Sequence, residues 1–389
     1  MTEFVEGNRL TLLESGRAYF PALEAACDAA LTEIHVETYI FEEDDAGQRI
    51  AAALERAARR GVATHVLVDG FGSKRMSDAL QRRLGDAGVK LLVYRPELAS
   101  LRFQRQRLRR LHRKLAVIDA RLGFVGGINI IDDMHTPGHT PPRFDYAVQV
   151  EGPLVEQIHS AAKRLWTIVL LTQLGGGWPD DEGPDADVRP KGTQAAAFLV
   201  RDNLWHRNDI EEAYLEAIAR ARSEILIASS YFFPGLSFRH ALAEAAARGV
   251  RVLLLLQGRV EYRLLHYASR ALYGSLLDSG VEIHEYHKSF LHAKVAVVDR
   301  VWATVGSSNI DPFSLLLARE ANVVVMDERF ATELRESLGN ALEEGAKQVQ
   351  PERWHRRPLL HRLAHWGCYG FARLLTGLFA YGQGQEFSS

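Results

Sequence analysis

The chain of 389 residues is 47% hydrophobic, which is enough to bury one large core or two ordinary ones and excludes a disordered or fibrous protein. Its 47 basic and 49 acidic side chains give a formal net charge of -2, so no global basic field attracts nucleic acid or membrane. Two cysteines, Cys27 and Cys368, are too few for a disulfide framework and fit a reducing compartment.

The amino terminus is polar and acidic, without the basic start and apolar stretch of a secretory signal. We therefore expect that the chain is not exported. No window of 18 or more residues is both uncharged and predominantly apolar, so the sequence predicts no membrane-spanning helix. Any contact with a membrane is expected to be peripheral.

An internal repeat divides the chain into two similar α/β halves. Residues 23–41 and 215–233 both have the pattern of a helix followed by an apolar strand. In each copy a second helix then precedes a short continuous apolar run, at 64–68 and 251–256. Such runs are typical of strands that helices cover on both faces.

A stretch rich in turn formers and acids, from Gly175 to about Lys191, separates the two copies. We predict a first half over residues 1–174, a linker over 175–194, a second half over 195–350 and a distinct tail over 351–389.

Each half contains one His-x-Lys-x4-Asp motif, followed after the same interval by a glycine and then an asparagine. One such motif is a weak signal, but two copies at matching places in a repeat are specific. The two sets are His112, Lys114, Asp119 and Asn129 in the first half, and His292, Lys294, Asp299 and Asn309 in the second.

These side chains fit a phosphate, because a buried ammonium needs an anionic partner and residues two apart on a strand share a face. Histidine has an ordinary pKa near 6.5. One imidazole can therefore attack phosphorus while the other protonates the leaving alkoxide and later deprotonates the incoming hydroxyl. The lysines and asparagines would stabilise charge on the non-bridging oxygens. We expect such an exchange to need no metal and no cofactor.

Two simpler interpretations remain open from the residues alone. Each His–Lys pair could be a solvated surface pair beside a core strand, although its recurrence in both halves disfavours this. Asp119 and Asp299 follow the ends of their strands, where they either hold a turn or take part in the chemistry. We include both aspartates among the catalytic candidates.

The duplicated motif with its Gly-x-x-Asn tail resembles the phospholipase D superfamily, and the resemblance covers nearly all of the chain. Within that superfamily the chain is similar to bacterial cardiolipin synthases, most of all to the type B enzymes that lack amino-terminal membrane spans. The segments that carry this likeness begin at Glu37, Arg201, Tyr231, Ala303 and Glu320. The resemblance implies two fused α/β/α sandwich halves with a single active site at their interface.

The resemblance also implies roles for individual residues. His112 and His292 match the paired catalytic histidines, and the amino-terminal one is expected to be the nucleophile, with the reverse order as the alternative. The positions that match phosphate ligands of the family are Lys114, Lys294, Asn129 and Asn309.

Two acids match the residues that orient the histidines in the family. Glu320 is expected to orient His292, the histidine of its own half, and Asp145 is the expected counterpart for His112. Ser307 offers a hydroxyl where the first half has a glycine, so the two half-sites differ chemically. We include Ser307 among the substrate-binding candidates.

The reaction that the family implies is the conversion of two phosphatidylglycerols into cardiolipin and glycerol. A phospholipase using water as acceptor, a nuclease and a non-enzymatic membrane-binding module are the alternatives, and phosphatidylethanolamine is a second possible donor. The expected partners are phosphatidylglycerol and an anionic membrane surface, without nucleic acid or an obligate protein partner. The expected location is peripheral, at the cytoplasmic face of the cell membrane.

Two basic segments are candidates for contact with lipid headgroups. The tail from residue 353 to 382 has five arginines, no acid, and leucines and phenylalanines at helical spacing, a pattern typical of an interfacial helix. Its alternative is a helix packed on its own domain. The other segment precedes the first motif, and its alternative is a solvated face. It contains Arg102, Arg105, Arg107, Arg109, Arg110 and Arg113.

Overall fold

The structure is a computed structural model. It describes residues 2–96, 110–136, 138–174, 183–202, 206, 208–260, 263–311, 318–355 and 358–381. Within these ranges the chain forms a mixed sheet of 16 strands with helices on its faces. The predicted architecture of two related α/β halves is confirmed.

The first half alternates strands and helices and ends in a long helix. Its elements in chain order are β1 (Val5–Glu14), α1 (Ser15–Ala29), β2 (Glu33–Thr38), α2 (Asp45–Arg59), β3 (Ala63–Asp69), α3 (Asp78–Asp86), β4 (Lys90–Tyr94), β5 (Arg110–Leu111), β6 (Lys114–Ile118), β7 (Leu122–Gly126), β8 (Arg143–Phe144), β9 (Tyr146–Glu151) and α4 (Leu154–Leu174).

The second half repeats this order and is followed by two tail helices. Its elements are β10 (Gln194–Arg201), α5 (Asp209–Arg220), β11 (Glu224–Ser229), α6 (Leu236–Ala247), β12 (Arg251–Gln257), α7 (Arg263–Ala271), α8 (Tyr273–Asp278), β13 (Glu282–Tyr286), β14 (Phe290–Leu291), β15 (Lys294–Val298), β16 (Trp302–Gly306), β17 (Ala318–Met326), α9 (Glu328–Gly345) and β18 (Ala346–Gln348). The tail helices are α10 (Pro351–His355) and α11 (Leu359–Tyr381).

The strand order shows the repeat directly. The first half has the order β1-β9-β7-β6-β2-β3-β4 and the second has β10-β17-β16-β15-β11-β12-β13, so every position in one has a counterpart in the other. The sheet is continuous because β1 and β10 pair antiparallel where the halves meet. In each half three neighbouring strands are parallel to one another, β2, β3 and β4 in the first and β11, β12 and β13 in the second, and β18 adds an antiparallel edge strand beside β13.

The motif strands β6 and β15 are buried on both faces, which explains their unbroken apolar sequences. On β6, Leu115 and Val117 join a core shared by both halves with α4 and α9, while Ala116 and Ile118 pack in the core beneath α1 and α2. On β15 the same alternation divides the valines between the shared core and the core of the second half.

Two short strand pairs cross between the halves and bring the motifs together. β5 lies parallel to β17, with Arg110 opposite Ala318 and Leu111 opposite Arg319. β14 lies parallel to β8 in the equivalent way. The start of each motif is therefore hydrogen-bonded to the other half, which places both motifs at the interface.

The tail helix α11 packs on α7 of the second half. The His365 ring stacks on Tyr267 at a centroid distance of 5.5 Å, and Tyr369 lies 5.4 Å from Phe233. Among the described helices, none combines the length and the apolar character needed to cross a membrane.

Candidate active site

The backbone of both histidines is tied to the opposite half of the protein. The amide of His112 donates a hydrogen bond to the carbonyl of Arg319 (2.9 Å), and the amide of His292 donates to the carbonyl of Phe144 (2.8 Å). These bonds continue the crossing strands β5 and β14 by one residue. The residue that follows each accepting carbonyl is an acid, Glu320 or Asp145.

Each histidine is held by the acid of the other half. Nδ1 of His112 is 3.1 Å from Oε1 of Glu320, and Nδ1 of His292 is 2.6 Å from Oδ2 of Asp145. The sequence prediction paired Glu320 with His292 and Asp145 with His112, and this pairing is wrong. The physical reason is the crossing of β5 and β14, which gives each histidine a neighbouring strand from the other half.

This arrangement determines which ring nitrogen faces the pocket. In a neutral imidazole whose Nδ1–H donates to a carboxylate, Nε2 carries the free lone pair. Both histidines are therefore oriented to present Nε2 as a nucleophile or proton acceptor. The pair is symmetric in form, although an aspartate serves one ring and a glutamate the other.

The surroundings favour neutral imidazoles. Burial and the ammonium of Lys114 lower the pKa of His112 to about 4, against the raising effect of Glu320. Burial and Lys294 lower the pKa of His292 to about 3, against Asp145. A bound phosphodiester would bring negative charge to the site and favour the protonated form of whichever ring acts as the acid.

Two lysines lie almost fully buried between these groups. Lys114 is 3% exposed and donates to the carbonyl of His112 (2.6 Å), and Lys294 is 1% exposed and donates to Oδ2 of Asp145 (3.2 Å). Burial and the nearby charge of Lys294 hold the pKa of Lys114 well below its ordinary value. Two ammonium groups that disfavour each other's charge form a site that an anion would stabilise.

The two asparagines are anchored in matching ways. Oδ1 of Asn129 accepts a hydrogen bond from the amide of Ile40 (3.1 Å), and Oδ1 of Asn309 accepts one from the hydroxyl of Ser230 (3.0 Å). Because the oxygen is held, the Nδ2 group is the atom left to donate. This orientation suits a phosphate oxygen.

Arg201 contacts the acid that orients His112, and the sequence alone did not predict this contact. It lies at the end of β10, directly opposite Glu320 on β17, and Nη1 is 3.0 Å from Oε2 of Glu320. Burial opposes ionisation of Glu320, but His112 and Arg201 outweigh it and lower the pKa of Glu320 to about 2. The sequence signals were its place at the end of an apolar strand and the family likeness of the segment that begins with it.

The aspartates of the two motifs lie at the far end of the motif strands, away from the imidazoles. Asp119 accepts hydrogen bonds from the backbone amides of residues 31–33, and Asp299 accepts them from residues 222–224. Both have a positive φ, 51° and 52°, in the turn that follows the strand. The prediction that they are catalytic is wrong, because a five-residue strand lies between each aspartate and its histidine and so separates them by its full length.

Ser307 is also not available to a substrate. It is 0% exposed, and its hydroxyl donates to the carbonyl of Ala321 and accepts from the same residue's amide. The equivalent Gly127 has no room for a side chain, because an added Cβ would collide with the Asp145 carboxylate. Ser307 and Gly127 therefore differ because of the packing around them and not because one of them contacts substrate. The prediction that Ser307 binds substrate is wrong.

Arg113 does not belong to a surface patch. It is buried in an ion pair with Glu37, and Nη2 also donates to the carbonyl of Ala161 (2.9 Å). Arg110 lies over the ring of Phe71, 4.9 Å from its centroid. The other four arginines predicted for this patch lie outside the described residues: Arg102, Arg105, Arg107 and Arg109.

Comparison with solved structures supports the fold. The chain superposes on phosphatidylserine synthase of Haemophilus influenzae Rd KW20 with a TM-score of 0.69 and 13% identity, covering 96% of this chain and 97% of that one. It also superposes on polyphosphate kinase of Porphyromonas gingivalis with a TM-score of 0.57 and 15% identity, covering 96% of this chain and 53% of that one.

Comparison with known sequences identifies the family. The family model described as cardiolipin synthase, PLD-like domain, matches residues 23–166 and 214–342. The chain is 42% identical over 356 residues to cardiolipin synthase B of Escherichia coli K12, covering 88% of this chain and 83% of that protein. It is 30% identical over 373 residues to probable cardiolipin synthase YwiE of Bacillus subtilis 168, covering 95% and 72%. The chain therefore belongs to the cardiolipin synthase family of phospholipase D-like proteins.

Proposed function

We propose that the enzyme transfers a phosphatidyl group from one phosphatidylglycerol to a hydroxyl of a second, giving cardiolipin and glycerol. The observation that carries this proposal is the crossed arrangement of two histidines, each oriented by a buried acid, around two buried lysines. Relatives that share most of this chain's length are named for cardiolipin synthesis.

In the first step Nε2 of His112 attacks phosphorus of the donor lipid and forms a P–N bond. The P–O bond to the glycerol headgroup breaks, and protonated His292 gives its proton to the departing oxygen. Lys114 and Lys294 stabilise the charge that develops on the non-bridging oxygens. Glycerol leaves, and the phosphatidyl group remains on His112.

In the second step a glycerol hydroxyl of the acceptor lipid loses its proton to His292 and attacks the same phosphorus. The P–N bond breaks, cardiolipin is released, and His292 is again protonated. One phosphodiester is exchanged for another, so no nucleotide is required. Glu320 and Asp145 keep their imidazoles oriented through both steps and stabilise the protonated form.

We also propose that the enzyme binds the membrane peripherally, at its cytoplasmic face, through α11. One face of this helix packs on α7. The alternative interpretation, a helix packed on its own domain, therefore holds for that face only. The opposite face is exposed and apolar, and Gly367 and Gly370 on it have open space where a Cβ would be. The exposed apolar side chains follow helical spacing over three turns: Leu363, Trp366, Phe371 and Leu374.

An exposed apolar stripe without acids suits the boundary between headgroups and acyl chains. The side chains of Leu360, Arg362, Leu375 and Leu378 lie outside the described residues, as do those of the arginines at 353, 356 and 357.

The reaction is tested by incubating the purified chain with phosphatidylglycerol vesicles, without nucleotide, and identifying products by mass spectrometry. We expect cardiolipin and glycerol in equal amounts. Phosphatidic acid as the sole lipid product would show that water is the acceptor and would reject the transferase proposal. If neither lipid product forms and the chain cleaves DNA in a separate assay, the nuclease alternative would be favoured.

The order of the two histidines is tested with phosphate-labelled phosphatidylglycerol. We expect His292→Ala to accumulate label on the protein as an acid-labile phosphohistidine. The nucleophile His112 remains in this variant, but no imidazole is left to deprotonate the acceptor hydroxyl in the second step. His112→Ala should carry no label. The reverse pattern would assign the nucleophile to His292.

A further inference from the structure

A second cluster of ionisable side chains is buried away from the active site, between β2 and α4. It consists of Glu33 and His35 on β2 and His159 on α4, which are 4%, 5% and 5% exposed. Glu33 and His35 are two apart on the strand, so both point toward the helix. Tyr39, whose ring contacts His112, follows Glu33 by six positions and His35 by four, so the cluster lies about 13–20 Å from Tyr39 along the strand.

The potential ligand atoms converge on one point. One oxygen or ring nitrogen from each of the three residues lies within 4.8 Å of the others. Nε2 of His35 is 3.4 Å from Oε2 of Glu33, and Nε2 of His159 contacts Oε1 of the same carboxylate. Ligand atoms around a tetrahedral zinc ion are about 3.3 Å apart, which is close to the first of these separations.

Two of these atoms meet only each other among the described residues. Oε1 of Glu33 and Nε2 of His159 are both inaccessible to solvent, and their mutual contact lacks the geometry of a good hydrogen bond. A cation that separates the two atoms would give both a partner in favourable geometry.

Aromatic rings border the cluster on the side of β3. The ring of His65 on β3 stacks on His35 at 4.7 Å, and Trp166 on α4 lies 4.7 Å from His65. One cation is already close, because Lys163 Nζ and Oε2 of Glu33 both approach Gly183. The carboxylate of Glu33 lies between the two imidazoles, with Oε1 facing His159 and Oε2 facing His35.

We propose that Glu33, His35 and His159 bind one divalent transition-metal ion of the zinc class, linking the first residues of β2 to the second turn of α4. Two imidazoles and one carboxylate are a ligand set that zinc uses in proteins, with a water molecule as the usual fourth ligand. The ion fastens the helix that closes the first half onto the sheet. It takes no part in phosphatidyl transfer, so this proposal stands or falls independently of the proposed reaction.

The experiment uses the full-length chain, stripped of metal with a chelator and titrated with zinc against a chromophoric competitor. We expect one tight site per chain. Glu33→Gln and His159→Gln should each weaken it at least about 100-fold, since even the loss of a partner that only supports a ligand weakens metal binding by about 10- to 100-fold. His240→Gln, at an exposed histidine elsewhere, is the matched control and should bind as the parent does.

Two further measurements separate this site from other metal-binding groups and from misfolding. The double variant His112→Gln His292→Gln should keep the tight site, because the active-site histidines are not its ligands. Cobalt bound to the parent chain should show the visible absorption of a tetrahedral nitrogen–oxygen site without a thiolate band, which excludes both cysteines. This spectrum tests the proposal even where a ligand variant does not fold.

The proposal is overturned by three results. The first is that the parent does not bind zinc tightly. The second is that Glu33→Gln and His159→Gln bind zinc as the parent does. The third is that the active-site double variant loses the site, and any one of the three is sufficient. Zinc that raises the melting temperature of the parent but not of folded Glu33→Gln would support it.

Discussion

Arg201 provides a quantitative test of how the acid of the active site is held. Arg201→Met removes the guanidinium but keeps an unbranched apolar side chain, so Glu320 stays ionised and buried without its cation. His112 and Arg201 together lower the pKa of Glu320 from an ordinary 4.5 to about 2, so Arg201 supplies part of that shift. Removing one partner of a buried ion pair typically costs about 3–5 kcal/mol.

We therefore expect Arg201→Met to lower the free energy of unfolding by about 3 kcal/mol, as measured by urea denaturation followed by tryptophan fluorescence. Arg9→Met is the control, because the ion pair of Arg9 with Glu151 is exposed and should contribute much less to stability than a buried pair does.

The pH dependence of this loss has a defined sign. A carboxylate with a depressed pKa stabilises the folded state above its unfolded pKa of 4.5, and this contribution is lost as the pH falls toward about 2. The difference between the parent and Arg201→Met should therefore be constant at neutral pH and shrink below pH 4.5.

A second substitution separates stability from activity. Glu320→Gln in the Arg201→Met background removes the unpaired charge, so we expect the double variant to be more stable than the sum of the two single effects predicts. Its conversion of phosphatidylglycerol should nevertheless stay at least about 100-fold below the parent, because His112 has lost its carboxylate. If Arg201→Met were as stable as the parent, or if the two substitutions were additive, the buried-pair reasoning would be refuted.

Three further predictions address the remaining parts of the site. Asp145→Asn should change the Nδ1 resonance of His292 in nitrogen NMR and leave that of His112 unchanged, and the opposite result would contradict the crossed pairing. Asp119→Ala should lower the free energy of unfolding by about 1–3 kcal/mol, because several backbone amides lose their acceptor, with kcat/KM unchanged. Leu374→Glu should weaken sedimentation with phosphatidylglycerol vesicles, whereas Leu31→Glu, at an exposed leucine elsewhere, should not; equal binding of both would exclude α11 as the membrane contact.

Local patterns were sufficient to predict the architecture and the central chemical groups. The repeat predicted two α/β halves, and the unbroken apolar runs predicted strands that are buried on both faces, as β3, β6 and β15 are. The spacing of the two motifs identified His112, His292 and the two lysines, which the structure brings to the interface. These features depend on periodicity and short-range spacing, which a sequence displays directly.

The partners of these groups could not be predicted in the same way. Which acid orients which histidine depends on β5 and β14 crossing to the opposite half, and no spacing within either half records that pairing. The position of Arg201 opposite Glu320 likewise depends on the register of two strands that are far apart in the chain.

Burial decided the remaining corrections. Asp119 and Ser307 carry the right functional groups, but the fold uses them to satisfy backbone atoms rather than substrate. Glu33 and His159 are distant in sequence and form a cluster only because α4 packs across β2. The sequence by itself determined the fold class and indicated the candidate reactive groups, through local patterns. Only the tertiary structure decided their partners, because strand register and burial are set by contacts between distant segments.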